Sequence, residues 1–117
     1  MRQDDFRRIA LGMKDAIEGA HMGHPDFRVG GRVFATIGYP GPEWATVMID
    51  PDEQRFFTGA HPDAFVPVKG AWGRAGSTHV RLHAARVGPV RTALRAAWQH
   101  RAPIRPPRIR RTKKRAA

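Results

Sequence analysis

The sequence predicts an α+β fold, and three features of its 117 residues support that class. Two apolar runs meet at a Gly-Gly pair at positions 30 and 31, which favours a tight hairpin. Both ends of the chain carry apolar residues at helical spacing. Residues 77–83 alternate between polar and apolar side chains, as half-buried strands do. These features predict helices near both ends, with strands between them.

The first helix is predicted to begin at Asp4 or Asp5, either of which can cap it, and to stop at Gly19. The apolar residues that recur at helical spacing in this stretch are Phe6, Ile9, Ala10, Met13 and Ile17. Arg7 and Arg8 fall largely off that face, so we expect them to be solvated.

Residues 26–38 form the predicted hairpin around which the core is expected to assemble. A two-residue Gly-Gly turn fixes three cross-strand pairs, namely Val29–Arg32, Arg28–Val33 and Phe27–Phe34. The last pair would bring two aromatic rings together on one face of the sheet.

A third strand is predicted at 44–50, after turn residues at 39–43. Because 32–38 and 44–50 are apolar at consecutive positions, periodicity does not tell which face is buried. Either both faces are covered or one apolar patch is open. Asp50 then caps a short helix at 51–58, with Pro51 at its first position. A cation-binding cluster of Asp50, Asp52 and Glu53 is the alternative, but capping and the helix dipole account for all three acids.

Residues 61–68 are expected to be irregular, with Phe65 in the core. The stretch 70–76, GAWGRAG, is interpreted as a tight turn whose Trp72 packs on the sheet. The alternative is a phosphate-contacting loop, because backbone N–H groups could form an anion nest beside Lys69 and Arg74.

In the strand at 77–83, the outward side would carry His79, Arg81 and His83, with the apolar residues between them facing the core. That side is either an ordinary polar surface or part of a basic platform continuous with Arg28. The final helix is predicted from about residue 88 to residue 100, with Trp98 docked in the core. Arg91 and Arg95 lie on its other side, one turn apart, where like charges repel mildly unless an anion lies between them.

Four groups of residues, in order, resemble the signature of the MmcQ/YjbR-like proteins, a family described as DNA-binding. They are Gly23, Pro25, Phe27, Arg28, Val29, Gly31, Phe34 and Ala35; Pro62, Phe65 and Pro67; Gly70, Trp72, Gly73 and Arg74; and Trp98, Ala102 and Pro103. The resemblance covers roughly residues 4–103. It implies a two-layer arrangement like that of secretion chaperones, with an antiparallel sheet of about five strands packed by helices in the order α-β3-α-β2-α.

The net charge of +11 is unevenly distributed along the chain. Residues 1–100 contain 13 lysines and arginines and 10 acids, whereas residues 101–117 contain 8 lysines and arginines and no acid. We therefore divide the chain into a domain at 1–103 and a basic C-terminal tail at 104–117. The tail is expected to be disordered when free, because it has little to bury. A basic tail on a weakly basic domain is common in proteins that attract nucleic acid, although arginine-rich composition can also reflect codon usage.

The sequence offers little support for catalysis or metal binding. It has no cysteine, a single serine and a single tyrosine, and it contains no hydrolase or metalloprotease motif. His21 and His24 are expected in a loop, and no third ligand is fixed by spacing. We expect a non-enzymatic protein without metal, cofactor or small-molecule substrate. The absence of cysteine and of a long apolar run favours a soluble cytoplasmic protein without membrane contact.

The function expected from these features is DNA binding, mainly through the phosphate backbone, with a regulatory role as one option. The candidate contacts in the domain are Arg28, Arg32, Lys69, Arg74, Arg81, Arg91 and Arg95, and those in the tail are Arg105, Arg108, Arg110, Arg111, Lys113, Lys114 and Arg115. The protein is expected to be a monomer or weak dimer.

The alternative function is a protein- or peptide-interaction module that binds no nucleic acid. Its docking surface would be an uncovered sheet face made of Val33, Ala35, Ile37, Val47 and Ile49.

Overall fold

The structure is a computed structural model that describes residues 1–103. It contains four α-helices, six β-strands and a single 3-10 turn in that part of the chain. In chain order these are α1 Gln3–Leu11, β1 Ile17–His21, β2 His24–Val29, β3 Arg32–Ile37, β4 Trp44–Met48, α2 Pro51–Ala60, β5 Phe65–Pro67, the short α3 Ala71–Arg74, β6 Ser77–Arg81, the 3-10 turn Leu82–Ala84 and α4 Val87–Arg101. The tail at 104–117 lies outside the described residues.

The strands form one antiparallel sheet in the order β1-β2-β3-β4-β6-β5. Helices α1, α2 and α4 all contact it. The predicted fold class, an antiparallel sheet packed by helices, is therefore confirmed. The sheet has six strands rather than about five. The sequence did not predict β1, and the expectation that 61–68 would be irregular was wrong, because Phe65–Pro67 pairs with β6 as β5.

The first helix is shorter than predicted. It ends at Leu11, and the chain then leaves helical geometry, with Asp15 at a positive φ of 60°. Ile17 does not extend the helix. It begins β1, where it pairs with Arg28 and is 61% exposed. Ile17 lies four residues after Met13, so it matches helical spacing by coincidence. The same apolar residue is equally acceptable at the start of an exposed edge strand.

His21 and His24 belong to strands rather than to a loop, so that expectation was wrong. They face each other across a two-residue turn, in which Met22 and Gly23 have positive φ values of 51° and 81°. Those values are typical of the primed turns that suit hairpins. The sequence did not indicate this turn, because methionine rarely adopts a positive φ.

The hairpin between β2 and β3 turns at Gly30 and Gly31 as predicted, and both glycines have positive φ. Two of the three predicted pairs, Val29–Arg32 and Arg28–Val33, are confirmed. The third is wrong: the register shifts between Phe27 and Arg28, so Phe27 pairs with Ala35 and Phe34 is the extra residue. Both phenylalanines are buried. The ring beside Phe27 belongs to Phe6 of α1, at 6.3 Å between centroids.

One face of the sheet carries the core. Ala35, Ile37 and Val47 are fully buried there, and α4 lies across β3 and β4. Ile49 is buried as well, while Val33 pairs with Arg28 and is only half-buried. The alternative of an uncovered docking face was therefore wrong, because helices occupy the apolar side. Of its predicted residues Val33, Ala35, Ile37, Val47 and Ile49, all except Val33 are buried.

The second helix follows its prediction closely. The Asp50 carboxylate accepts a hydrogen bond from the Glu53 N–H at 2.7 Å, and the Glu53 carboxylate accepts one from the Asp50 N–H at 2.9 Å. This reciprocal capping box accounts for the local acids. Phe57 packs on Phe65 at 5.1 Å between ring centroids, which confirms Phe65 as a core residue. Trp98 is only partly buried, and its indole N–H donates to the Lys14 carbonyl at 2.8 Å.

The stretch 70–76 is a short helix rather than a tight turn, and Trp72 is 68% exposed instead of packed on the sheet. The glycines here permit close backbone approach. A Cβ on Gly73 would overlap the Val68 carbonyl oxygen, and one on Gly76 would overlap the Ile49 carbonyl oxygen. Packing therefore explains both glycines without an anion nest.

The tight approach at Gly73 gives a stability prediction. Gly73→Ala should lower the free energy of unfolding by about 3 kcal/mol, because backbone must move to admit the methyl group. Gly59→Ala in α2 is the matched control: its Cβ would meet no atom within 4 Å, and alanine should stabilise the helix by roughly 0.5 kcal/mol. Urea denaturation of both variants measures the difference. Equal stabilities would contradict the packing argument.

Candidate nucleic-acid interface

A groove between α1 and α4 brings three arginines together. Arg8 of α1 and Arg91 and Arg95 of α4 line a cavity of about 380 Å³. The remaining lining residues are Asp5, Ile9, Gly12, Met13 and Val87. Arg91 and Arg95 are one helical turn apart, so they share a side of α4. The sequence predicted Arg91 and Arg95 as contacts. It predicted Arg8 to be solvated, which its exposure confirms, but not that it lies beside them.

The groove contains one carboxylate, and that group is already engaged. Asp5 accepts hydrogen bonds from the Arg2 backbone N–H at 2.8 Å and from Arg8 at 3.4 Å. The bond from Arg2 lowers the pKa of Asp5, and Arg8 lowers it further against an opposing effect of burial. Among residues 1–103, Arg91 and Arg95 make no salt bridge. Both are exposed, so their charge is available to an anion.

A second pair of arginines lies at the C-terminal end of α4. Burial lowers the pKa of Arg101, and the nearby positive charge of Arg32 lowers it further. The Nε atom of Arg101 is buried and has no hydrogen-bond partner among residues 1–103. Pro103, the last described residue, packs on Gly30 at the tip of the β2–β3 hairpin. We call Arg8, Arg91, Arg95, Arg101 and Arg32 the helical flank.

The other predicted contacts in the domain do not join the helical flank. Arg28 binds Asp26 through two hydrogen bonds of 2.8 and 3.1 Å, and the Asp26 side chain is almost fully buried. Its charge is therefore largely compensated. Lys69 and Arg74 are exposed near the short helix α3. Arg81 lies over the ring of Trp44, with its guanidinium carbon 4.4 Å from the ring centroid.

Arg28 and Arg81 do not form a continuous basic platform. They are on β2 and β6, with β3 and β4 between them, and they lie toward opposite ends of these strands. Their separation is on the order of 20 Å, at about 4.8 Å per strand and about 3.3 Å per residue. The seven predicted tail contacts, Arg105, Arg108, Arg110, Arg111, Lys113, Lys114 and Arg115, lie outside the described residues.

The face of the sheet opposite the helices carries a group of rings, which we call the ring cluster. It consists of His24, Tyr39, Trp44 and His79, with Arg81 stacked on the tryptophan. His79 is central: its ring centroid is 5.7 Å from that of Trp44 and 6.2 Å from that of Tyr39. Sequence analysis missed Tyr39 and Trp44, since their proximity to His79 depends on the pairing of β4 with β6.

His79 is held in place by its neighbours. Its Nδ1 atom is 2.9 Å from the Thr46 hydroxyl oxygen, which lies on the adjacent strand. Partial burial lowers the pKa of His79, because the charged imidazolium loses hydration there. The neutral imidazole is therefore the form that this environment favours.

Metal and membrane features can be assessed for the described part of the chain. Within residues 1–103, no three histidine, aspartate or glutamate side chains lie close enough to hold a metal ion. No helix in this range is both long and apolar enough to cross a membrane.

The fold and its surfaces define a class of protein: an α+β domain with helices on one sheet face and a basic helical flank. The chain belongs to the YjbR family, whose family model matches residues 11–100. The family resemblance found in the sequence is thereby confirmed. No curated protein matches the chain.

A solved structure has a similar fold. It is the Deinococcus radiodurans protein DR2400, described as a DUF419 domain, with a TM-score of 0.69 and 19% sequence identity. The match covers 83% of this chain and 75% of that one. At this identity the similarity establishes the fold alone.

The lowered pKa of His79 predicts a pH dependence of stability. Because this pKa is lower in the folded protein than its ordinary value of 6.5, the unfolded chain binds the proton more readily. Stability should therefore fall as the pH decreases from about 7 through the unfolded pKa toward the folded one. In His79→Gln the fall should be smaller, whereas the exposed His83→Gln serves as control. Urea denaturation of the wild type and both variants at about pH 7 and about pH 5, on either side of the unfolded pKa, tests this. Identical pH profiles for all three proteins would contradict it.

Proposed function

We propose that the protein binds DNA without catalysing a reaction, mainly through phosphate contacts made by the helical flank and by the basic segment at 104–117. The observation that carries the proposal is the groove in which Arg8, Arg91 and Arg95 converge while the last two lack a salt bridge within the described residues. Arg101, at the C-terminal end of α4, and Arg32 of β3 are a second pair of neighbouring cations.

Phosphate is the anion that suits this arrangement. Guanidinium groups present a planar set of donors that matches phosphate oxygens and remains charged at any physiological pH. Each neutralised phosphate also releases condensed counterions, which favours binding at low salt. Several arginines distributed over two adjacent helices suit a repeating polyanion better than a single small anion. Contacts of this kind carry little sequence information, so we propose weak sequence preference.

The lining of the groove favours a binding role over catalysis. Its polar side chains are arginines and Asp5, and the Asp5 carboxylate already accepts hydrogen bonds from Arg2 and Arg8. Membership of the YjbR family, which the sequence resemblance associates with DNA binding, also supports the proposal. A role on DNA agrees with the cytoplasmic location expected from the sequence. A regulatory role would be one use of such binding.

Removing the two unpaired arginines of the groove tests the helical flank. Arg91→Gln/Arg95→Gln should weaken binding to a fluorescent duplex about tenfold at low salt, and it should reduce the slope of log affinity against log salt by about 2. Fluorescence anisotropy at several salt concentrations measures both effects.

The matched control is Arg55→Gln/Arg74→Gln, which removes the same number of positive side chains from α2 and α3. Its affinity and salt slope should change much less. Equal losses in the two double variants would show that only net charge matters, and the assignment to the flank would be abandoned.

The contribution of the basic segment is tested by ending the chain at Pro103. The buried core lies within residues 1–103, so we expect the shortened protein to fold. If the segment contacts about six phosphates, the salt slope should decrease by about 5, and residual binding should depend on Arg91 and Arg95. The measurement is the same anisotropy titration. If neither the full chain nor the shortened protein binds DNA at low salt, the proposed function is wrong.

A further inference from the structure

We propose that the ring cluster on the open sheet face binds unpaired bases of single-stranded nucleic acid by stacking. The proposal depends on the proposed function only in taking nucleic acid as the ligand, since it concerns a different surface. The helical flank would contact phosphates of any strand, whereas the ring cluster would require exposed bases.

The strand register places the ring cluster on the side of the sheet that no helix of residues 1–103 covers. Thr46 pairs with His79 and Trp44 pairs with Arg81, so these alternate positions share one face. The intervening residues, Ala45 and Val80, are fully buried on the opposite face, where the helices pack. Large rings on a half-exposed sheet surface are therefore not needed to fill the core.

The geometry fixes the rings before a ligand arrives. The ring centroid of Tyr39 lies 6.2 Å from that of His24 and 6.2 Å from that of His79. Trp44 contacts His79 edge-on, with 5.7 Å between the ring centroids. Tyr39 nevertheless remains 58% exposed. A ring that is held by its neighbours and still exposed loses little side-chain entropy when a planar group stacks on it.

Arg81 supplies a second planar surface and a positive charge. Its guanidinium carbon lies 4.4 Å from the Trp44 ring centroid, and its Nε atom donates a hydrogen bond to the Asp63 carbonyl at 3.3 Å. Stacking on one side and this hydrogen bond restrict the guanidinium. Bases stack on arginine planes as well as on aromatic rings, and the positive charge attracts the neighbouring phosphate.

Unpaired bases are the ligand that these features favour. Every base has a flat π-face, so stacking tolerates any sequence, and the strand also carries the charge that complements Arg81 and a chain of net charge +11. In a duplex the base faces are already stacked on one another and cannot reach the cluster. The proposal therefore predicts a preference for single strands that depends on the bases themselves.

The test compares three ligands at the same salt concentration: a fluorescent fifteen-nucleotide oligothymidylate, an abasic strand of the same length, and a duplex. The abasic strand keeps the phosphates and lacks the bases. We expect the full-length protein to bind oligothymidylate about tenfold more tightly than the abasic strand. Oligouridylate, added as a further arm, should bind similarly if stacking dominates.

The variants assign the effect to the ring cluster. Tyr39→Ala should weaken oligothymidylate binding about fivefold or more and leave abasic binding unchanged, while Tyr39→Phe should retain the preference. Trp72→Ala is the matched control, because Trp72 is exposed but lies on α3 outside the cluster. Urea denaturation of each variant verifies folding, and Tyr39→Phe preserves the test if Tyr39→Ala is unstable.

The outcomes separate this inference from the proposed function. Equal affinity for oligothymidylate and the abasic strand overturns base stacking while leaving phosphate binding intact. A preference for oligothymidylate that survives Tyr39→Ala, or that is lost equally in Trp72→Ala, overturns the assignment to the ring cluster. Binding of oligothymidylate without binding of duplex or abasic strand supports stacking and contradicts the proposed function. Failure of all ligands to bind contradicts both.

Discussion

The packing of α4 across β3 and β4 is the constraint on which the other surfaces depend. Val90, Leu94 and Ala97 of the helix are fully buried, as are Ala35 and Val47 of the strands beneath it. Burial of this apolar surface is the main favourable contribution available to a chain without disulfides. It directs Arg91 and Arg95 away from the sheet, and within residues 1–103 it leaves the opposite sheet face without a helical cover.

The position of α1 depends on a second local feature, the bulge in the β2–β3 hairpin. With Phe34 as the extra residue, both Phe34 and Phe27 are buried, and Phe6 of α1 packs beside the Phe27 ring. This contact helps hold α1 where it also touches α4. The groove of the helical flank exists because the two helices meet there, so Arg8 approaches Arg91 through a core contact made by α1.

Not every arginine of the domain is available to a ligand. Arg28 is compensated by a nearly buried carboxylate, and Arg81 is restrained over an indole ring. Arg91 and Arg95 are exposed and make no salt bridge in the described part of the chain. Two surfaces with different chemistry result: a helical flank suited to phosphates and, on the open sheet face, a ring cluster with planar surfaces.

Features that arise from neighbouring residues could be predicted without a structure: the cap of α2 at Asp50, the turn at Gly30 and Gly31, and the family through motif spacing. Their geometry is set within a few residues, so local patterns suffice. Other features became visible only in the folded chain: which face of β3 is buried, that Ile17 begins a strand, and that Tyr39 lies beside His79. These features depend on contacts between segments that are distant in sequence. Hydrophobic periodicity alone fits more than one arrangement of those segments.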